Sequence, residues 1–217
     1  MFTHPTLNRP IIALSIVFIS LFSISLSASP KPINDIENAE SLSSISQKSF
    51  DLAEGTQHVL PKGSTVSLKV ASFEFDSRWK KEFRSKVASS YQTKITQKYT
   101  QLLHDQFSQA LLKSGVSIEE SPESADYSLV VTIENLRING PEQNAQGKTF
   151  VRRAGSAQIS VQLFNAKKQL LLRIQDYNQT PEHSHSSLEE SSRSFNYRQF
   201  KILFSRWAKN SVKLLSE

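Results

Sequence analysis

The 217-residue chain carries 26 lysines and arginines against 20 aspartates and glutamates, a formal net charge of +6 at pH 7. It contains no cysteine, which excludes a disulfide framework, a cysteine nucleophile and a lipid anchor attached through a lipobox cysteine. Its length is sufficient for one domain whose core is stable without disulfides.

The first 28 residues have the features of an export signal. Arg9 precedes an apolar stretch from Ile11 to Leu26, and the small residues Ser27 and Ala28 follow it. A membrane-spanning helix needs about 20 predominantly apolar residues. This stretch is shorter and contains several serines, which favours cleavage over anchoring. The sequence therefore predicts a cleaved signal peptide over residues 1–28. A cysteine-free exported chain of this size is typical of the bacterial periplasm.

Residues 29–62 are predicted to form a flexible tether. They are rich in Ser, Asn and Glu, with only scattered apolar residues such as Ile36, Leu42 and Phe50. Such a stretch buries too little apolar surface to offset the entropy of ordering it. A single basic domain is predicted over residues 63–217.

The predicted domain begins with a strand and a helix. Residues alternate between apolar and polar from Val66 to Phe75, with a change of phase near Ala71–Ser72 that indicates a bulge. Apolar residues then recur at every fourth position, with a helix break expected near Ser89–Ser90. The most regular part of the helix runs from Thr93 to Lys113, and Gly115 ends it.

The rest of the domain is predicted to be mainly strands. A short edge strand is expected over Val116–Glu119, and a longer strand starts at Tyr127. Clear alternation over Ala157–Leu163 and Leu170–Ile174 predicts a β-hairpin. An amphipathic helix, with its apolar arc running from Phe200 to Leu215, completes the order β-α-β-β-β-β-α. This order predicts an α+β fold: an antiparallel sheet of four to five strands with two main helices on one face.

No sequence pattern predicts a catalytic residue, a metal site or a cofactor. His183 and His185 are two residues apart, but a zinc site needs three or four ligands, so a solvated loop is the favoured interpretation. His104 and Asp105 are adjacent on a predicted helix and point about 100° apart. We therefore predict that the protein is not an enzyme. A cell-wall hydrolase built from two distant carboxylates remains an alternative.

Two basic clusters are candidate contact sites for a partner or an anion. The first surrounds Trp79 and Phe83, and the second lies at the entry to the predicted hairpin. Their members are Arg78, Lys80, Lys81, Arg84 and Lys86 in the first cluster, and Arg152 and Arg153 in the second. They are consistent with binding to anionic lipid, lipopolysaccharide phosphate or an acidic protein. A solvated helix face is the alternative. Behind an export signal, nucleic acid is not an expected partner.

Three short segments carry a resemblance to known proteins. They are Leu-Leu-Lys-Ser-Gly at Leu111–Gly115, Ala-Asp-Tyr at Ala125–Tyr127, and Phe204-x-x-Trp207-Ala208 in the last helix. In this order of elements they resemble uncharacterised families of bacterial envelope proteins, most of them outer-membrane lipoproteins. More distantly they are similar to the amino-terminal domain of TolB and to LpoB-type accessory proteins. The chain departs from these families by lacking the lipid-anchored cysteine.

The resemblance implies an adaptor or assembly role and supplies no catalytic residues. Our leading hypothesis is a non-catalytic periplasmic binding or assembly-accessory module with an envelope protein as its partner. The alternative within the binding class is direct binding of anionic lipid, lipopolysaccharide or glycan, which screening by salt would weaken.

Overall fold

The computed structural model describes residues 42–46, 48–83, 89–139, 149–181 and 188–216. Within these ranges the fold is α+β, as predicted. The strands are β1 (Leu52–Gly55), β2 (Thr65–Phe75), β3 (Ser117–Glu119), β4 (Tyr127–Ile138), β5 (Phe150–Val151), β6 (Gly155–Asn165), β7 (Leu170–Gln179) and β8 (Glu189–Glu190). The helices are α1 (Ser77–Phe83), α2 (Ser89–Lys113) and α3 (Arg193–Ser216). The predicted signal peptide and residues 29–41 of the predicted tether lie outside the described ranges.

Six of the described strands form one mixed sheet in the order β1-β7-β6-β4-β2-β3. Strand β2 is parallel to β3 and β4, whereas the pairs β1–β7, β7–β6 and β6–β4 are antiparallel. The prediction of four to five antiparallel strands in the order β-α-β-β-β-β-α is therefore wrong in number and order, and wrong in direction for the two pairs that involve β2. The physical reason is the crossover through α2, since a strand–helix–strand connection brings the chain back in the same direction.

Strand β1 lies within the stretch predicted as a tether. Ala53 pairs with Ile174 on β7, and Phe50, Ala53 and Leu60 are buried in the main core. The amide of Leu60 also donates to the carbonyl oxygen of Leu215 at 2.9 Å. The folded domain therefore includes residues that precede position 63.

The core lies between the sheet and the helices α2 and α3. Inward-facing residues of β4 and β6, such as Leu129, Ile133 and Ile159, are fully buried. Aromatic rings pack between the two helices, with the centroids of Tyr99 and Phe200 separated by 5.1 Å. These contacts show that the apolar stripes of α2 and α3, the two longest helices, face the same side of the sheet.

Several local predictions are confirmed. The register of β2 shifts between Val70 and Ser72, where the sequence predicts a bulge. A second shift between Glu134 and Arg137 includes Asn135, whose φ is 51°. The predicted hairpin is formed by β6 and β7.

Candidate partner-binding surface

Helix α1 is held on the sheet by Trp79. The Asp76 carboxylate accepts the backbone amide of Trp79 at 2.7 Å, which caps the first turn. The indole of Trp79 is fully buried, stacks on Phe75 with ring centroids 4.9 Å apart, and donates to the carbonyl oxygen of Ile138 at 2.8 Å. A seven-residue helix is too short to be stable alone, so this anchor fixes which side chains of α1 point outward.

The outward-facing side chains of α1 include three of the predicted contact residues. Arg78, Lys80 and Lys81 are exposed. Glu82 lies 3.8 Å from Arg137, with both side chains about half exposed, so this ion pair contributes little to stability. Arg84 and Lys86, the other predicted members of the cluster, lie outside the described residues.

Asn139 connects the anchor of α1 to the second predicted cluster. It follows Ile138 directly, and its amide donates to the carbonyl oxygen of Ala154 at 2.7 Å. Its side-chain amide donates to the carbonyl oxygen of Arg153 at 3.3 Å, and its own carbonyl oxygen accepts the hydroxyl of Ser191 at 3.2 Å. The fold thus brings the two predicted clusters to the same end of the sheet.

A small two-stranded sheet extends from this connection. Strands β5 and β8 are antiparallel, with Phe150 opposite Glu190 and Val151 opposite Glu189. Val151 packs against the core. Because side chains alternate along a strand, Phe150 faces the other way.

The outward face of this small sheet carries the apolar side chain of Phe150 and, directly opposite it, the exposed side chain of Glu190. Phe150 is 53% exposed and Leu188 is 55% exposed, and Arg152 is exposed beside them. Arg153 is partly buried. Sequence analysis missed Phe150 and Leu188, because strands of two residues give no periodic signal over a window.

We call this surface the Phe150 corner. It consists of the exposed side chains of Arg78, Lys80, Lys81, Phe150, Arg152 and Leu188. Aromatic residues and arginine are enriched at the centres of protein–protein interfaces. Exposed large apolar side chains beside cations are therefore typical of a surface that binds a partner.

The described residues contain little that resembles a catalytic or metal site. No group of three or more histidine, aspartate or glutamate side chains among them is arranged to hold a metal ion. His104 and Asp105 are 4.0 Å apart, with 41% and 47% of their side chains exposed, so this pair lies at the surface. His183 and His185 lie outside the described residues. The described helices include none with the length and apolar character needed to cross a membrane.

Asp176 is a buried carboxylate that forms a hydrogen bond between the sheet and helix α3. It lies on β7, only 6% exposed, and its Oδ2 accepts the indole N–H of Trp207 on α3 at 2.5 Å. Burial raises the pKa of the Asp176 carboxyl, although the hydrogen bonds from Trp207 and Asn178 act in the opposite direction. The carboxylate thus links the sheet to α3.

Comparison with known proteins gives distant likenesses of fold. No protein-family model matches the sequence, and no curated protein matches it. Among solved structures, the chain is similar to PelC, a dodecamer, from Paraburkholderia phytofirmans, with a TM-score of 0.41 and 11% identity over 74% of this chain and 94% of that one. A homolog of neuraminyllactose-binding hemagglutinin from Helicobacter pylori gives a TM-score of 0.40 and 11% identity over 75% and 91% of the two chains.

A third solved structure is a protein of Xanthomonas campestris assigned to DUF330. It gives a TM-score of 0.41 and 11% identity over 73% of this chain and 90% of that one. At these scores the likenesses carry no argument about function. These three likenesses do not show the predicted resemblance to the amino-terminal domain of TolB or to LpoB-type proteins.

Proposed function

We propose that the protein is a non-catalytic binding or assembly-accessory module of the bacterial cell envelope, which contacts an envelope protein through the Phe150 corner. The observation that carries this proposal is the exposure of Phe150 and Leu188 at the end of the sheet that also carries the exposed cations of α1. The periplasmic location is part of the proposal and is supported by the export-signal pattern of residues 1–28.

The chemistry of the corner defines the partner. Burial of a large apolar side chain contributes about 1.5–3 kcal/mol, so Phe150 and Leu188 provide the apolar centre of an interface. Arg78, Lys80 and Lys81 lie at the same end of the sheet and add positive charge there, which favours association with a partner that carries acidic residues. The expected partner is therefore a protein with an apolar depression bordered by aspartate and glutamate.

Site-specific photocrosslinking in intact cells tests this proposal. A photoreactive phenylalanine analogue is placed at position 150, at position 188 and, as a matched control, at position 112. Leu112 is 59% exposed and lies at the end of α2, away from the corner. We expect positions 150 and 188 to capture the same envelope protein and position 112 not to capture it. Capture of that protein from all three positions, or no common product from 150 and 188, would refute the proposal.

Variants of the charged residues and of the apolar residue measure separately how much charge and apolar burial contribute to binding. Phe150→Ser, and the double variant Lys80→Glu with Lys81→Glu, are each expected to weaken binding to the captured partner by about tenfold or more. Leu112→Ser serves as the control for loss of an exposed apolar side chain. Because all these side chains are exposed, unfolding free energies should stay within about 0.5 kcal/mol of the parent. Unchanged affinity in both corner variants would count against this surface.

A further inference from the structure

Helix α3 has an unusual charge composition. Its 24 residues include six cations and no aspartate or glutamate. The cations are Arg193, Arg198, Lys201, Arg206, Lys209 and Lys213. Four of these cations lie together with polar residues on one side of the helix.

Part of this face forms one wall of a groove. A depression of about 490 Å³ is lined by one residue of α2 and seven of α3. The lining residues are Gln106, Arg198, Lys201, Ile202, Ser205, Arg206, Lys209 and Asn210. The α3 residues are spaced at three and four positions, so they follow one stripe of the helix. At 1.5 Å per residue the stripe is about 18 Å long.

The positive charges of the groove are not neutralised within the described part of the chain. No described carboxylate lies within 4.0 Å of Arg198, Lys201, Arg206 or Lys209, although Arg206 acts at longer range on Asp176. Like charges three or four positions apart on a helix destabilise it by about 0.2–0.5 kcal/mol per pair. The stripe therefore carries an electrostatic cost that a bound polyanion would remove.

We infer that this groove binds an acidic glycan chain. The four cations provide partners for carboxylate or sulfate groups along the chain. Gln106, Ser205 and Asn210 provide neutral hydrogen-bonding groups suited to sugar hydroxyls. Ile202, which is 47% exposed, provides an apolar contact for the face of a sugar ring.

The shape of the site favours a polymer over a membrane surface. Gln106 is only 7% exposed and lies against the α3 stripe, so a flat bilayer cannot reach it. A narrow chain can lie along the groove and contact both helices. This site shares no residue with the Phe150 corner, so each proposal can fail while the other stands.

Charge reversal within α3 tests the site without loss of the fold. The test variant is Arg198→Glu with Lys209→Glu, which leaves Arg206 in place beside Asp176. Lys209→Glu creates opposite-charge pairs with Arg206 and Lys213, so the helix should be as stable as the parent or slightly more stable. The control is Lys69→Glu with Lys167→Glu, two exposed lysines outside the groove, which changes the net charge by the same amount.

Binding is measured by calorimetry with oligogalacturonate as the acidic probe and maltohexaose as the neutral one. We expect the parent and the control variant to bind oligogalacturonate, with an affinity that falls as salt rises. The α3 variant should bind about tenfold more weakly or worse, and maltohexaose should bind none of them. Equal binding by the α3 variant and the control would overturn the inference. The inference would also be overturned if the parent protein bound polyphosphate or phosphatidylglycerol vesicles but did not bind oligogalacturonate.

Discussion

At the scale of single residues, the two tryptophans of the chain show how buried polar atoms are satisfied. Each indole is buried and each N–H has an oxygen partner: the carbonyl oxygen of Ile138 for Trp79 and the carboxylate of Asp176 for Trp207. The second acceptor is charged and removed from water, which is the more costly arrangement. The stability of the protein should therefore depend on the protonation of Asp176.

Asp176→Asn is expected to remove part of the pH dependence of folding. The pKa of Asp176 is raised in the folded protein, so the folded state holds this proton more tightly than the unfolded state. The Asp176 carboxyl group contributes most to the unfolding free energy at pH values below its pKa in the unfolded chain, about 3.9. That contribution is lost as the pH rises through its raised pKa in the folded protein. Urea unfolding across this pH window should give a flatter profile for Asp176→Asn, with stability at pH 7 equal to or above the parent.

Asp176→Ala provides the contrast. It removes the charge as well as the acceptor, so the N–H of Trp207 is left buried without its partner. We expect the unfolding free energy at pH 7 to fall by about 1–3 kcal/mol. If the Asn and Ala variants were equally stable, the hydrogen bond to Trp207 would have no role in linking β7 to α3.

Asp176 also shows what sequence can reveal about a buried polar group. It continues the inward-facing series of Leu172 and Ile174 on β7, so its burial follows from the alternation. Its partner could not be predicted, because Trp207 is on a separate element and meets Asp176 only through packing. For the same reason, the sequence predicted the charges at Arg78 and Arg152 without predicting that the fold brings their segments to one end of the sheet.

At the scale of elements, the position of α1 depends strongly on Trp79, the buried one among the side chains described for residues 77–82. The structure shows Trp79 as its buried contact with the sheet, through Phe75 and Ile138. The cationic side chains of α1 are exposed and add little to its stability. The geometry of the Phe150 corner therefore depends on Trp79, although Trp79 is not itself exposed there.

Trp79→Phe is expected to lower the unfolding free energy by about 1–3 kcal/mol. The ring still packs on Phe75, but the carbonyl oxygen of Ile138 loses its buried donor. Trp79→Ala should cost about 3–5 kcal/mol, because it also leaves a cavity. Chemical unfolding followed by the fluorescence of Trp207, the remaining tryptophan, measures both. A Trp79→Phe variant as stable as the parent would show that the hydrogen bond does not hold α1 in place.

The success of prediction at this scale followed element length. The long periodic elements, β2, α2, β4, the β6–β7 hairpin and α3, were identified because their patterns repeat several times. Strands β1, β5 and β8 have two to four residues and were missed, whereas the three-residue strand β3 was expected over Val116–Glu119. The parallel pairing of β2 with β4 was missed because alternation specifies which face of a strand is buried and contains no information on direction.

At the scale of the whole molecule, the core draws on residues from both ends of the described chain. Phe50 and Leu60 precede β2, and Leu214 and Leu215 end α3, and all four are buried in one cluster. The hydrogen bond from Leu60 to Leu215 joins these segments directly. The amino-terminal segment therefore forms part of the core.

A truncated chain that begins at residue 63 is expected to be much less stable than one that begins at residue 42. The shorter chain loses β1 and the buried side chains of Phe50 and Leu60, each contributing about 1.5–3 kcal/mol. Such losses are a large fraction of the about 5–15 kcal/mol that stabilises a typical domain. Thermal unfolding by circular dichroism compares the two chains. Equal melting temperatures would show that the residues before position 63 are dispensable for the fold.

The placement of β1 beside β7 has a consequence for the order in which the chain folds. The amide of Tyr177 donates to the carboxylate of Asp51, a contact between residues 126 positions apart. Contacts of such wide sequence separation must close a long loop before they contribute, which slows folding. The pairing of β1 therefore has to wait for β7, although β1 is the first strand of the described chain. We expect this edge of the main sheet to form late in folding, after the β6–β7 hairpin whose contacts are local.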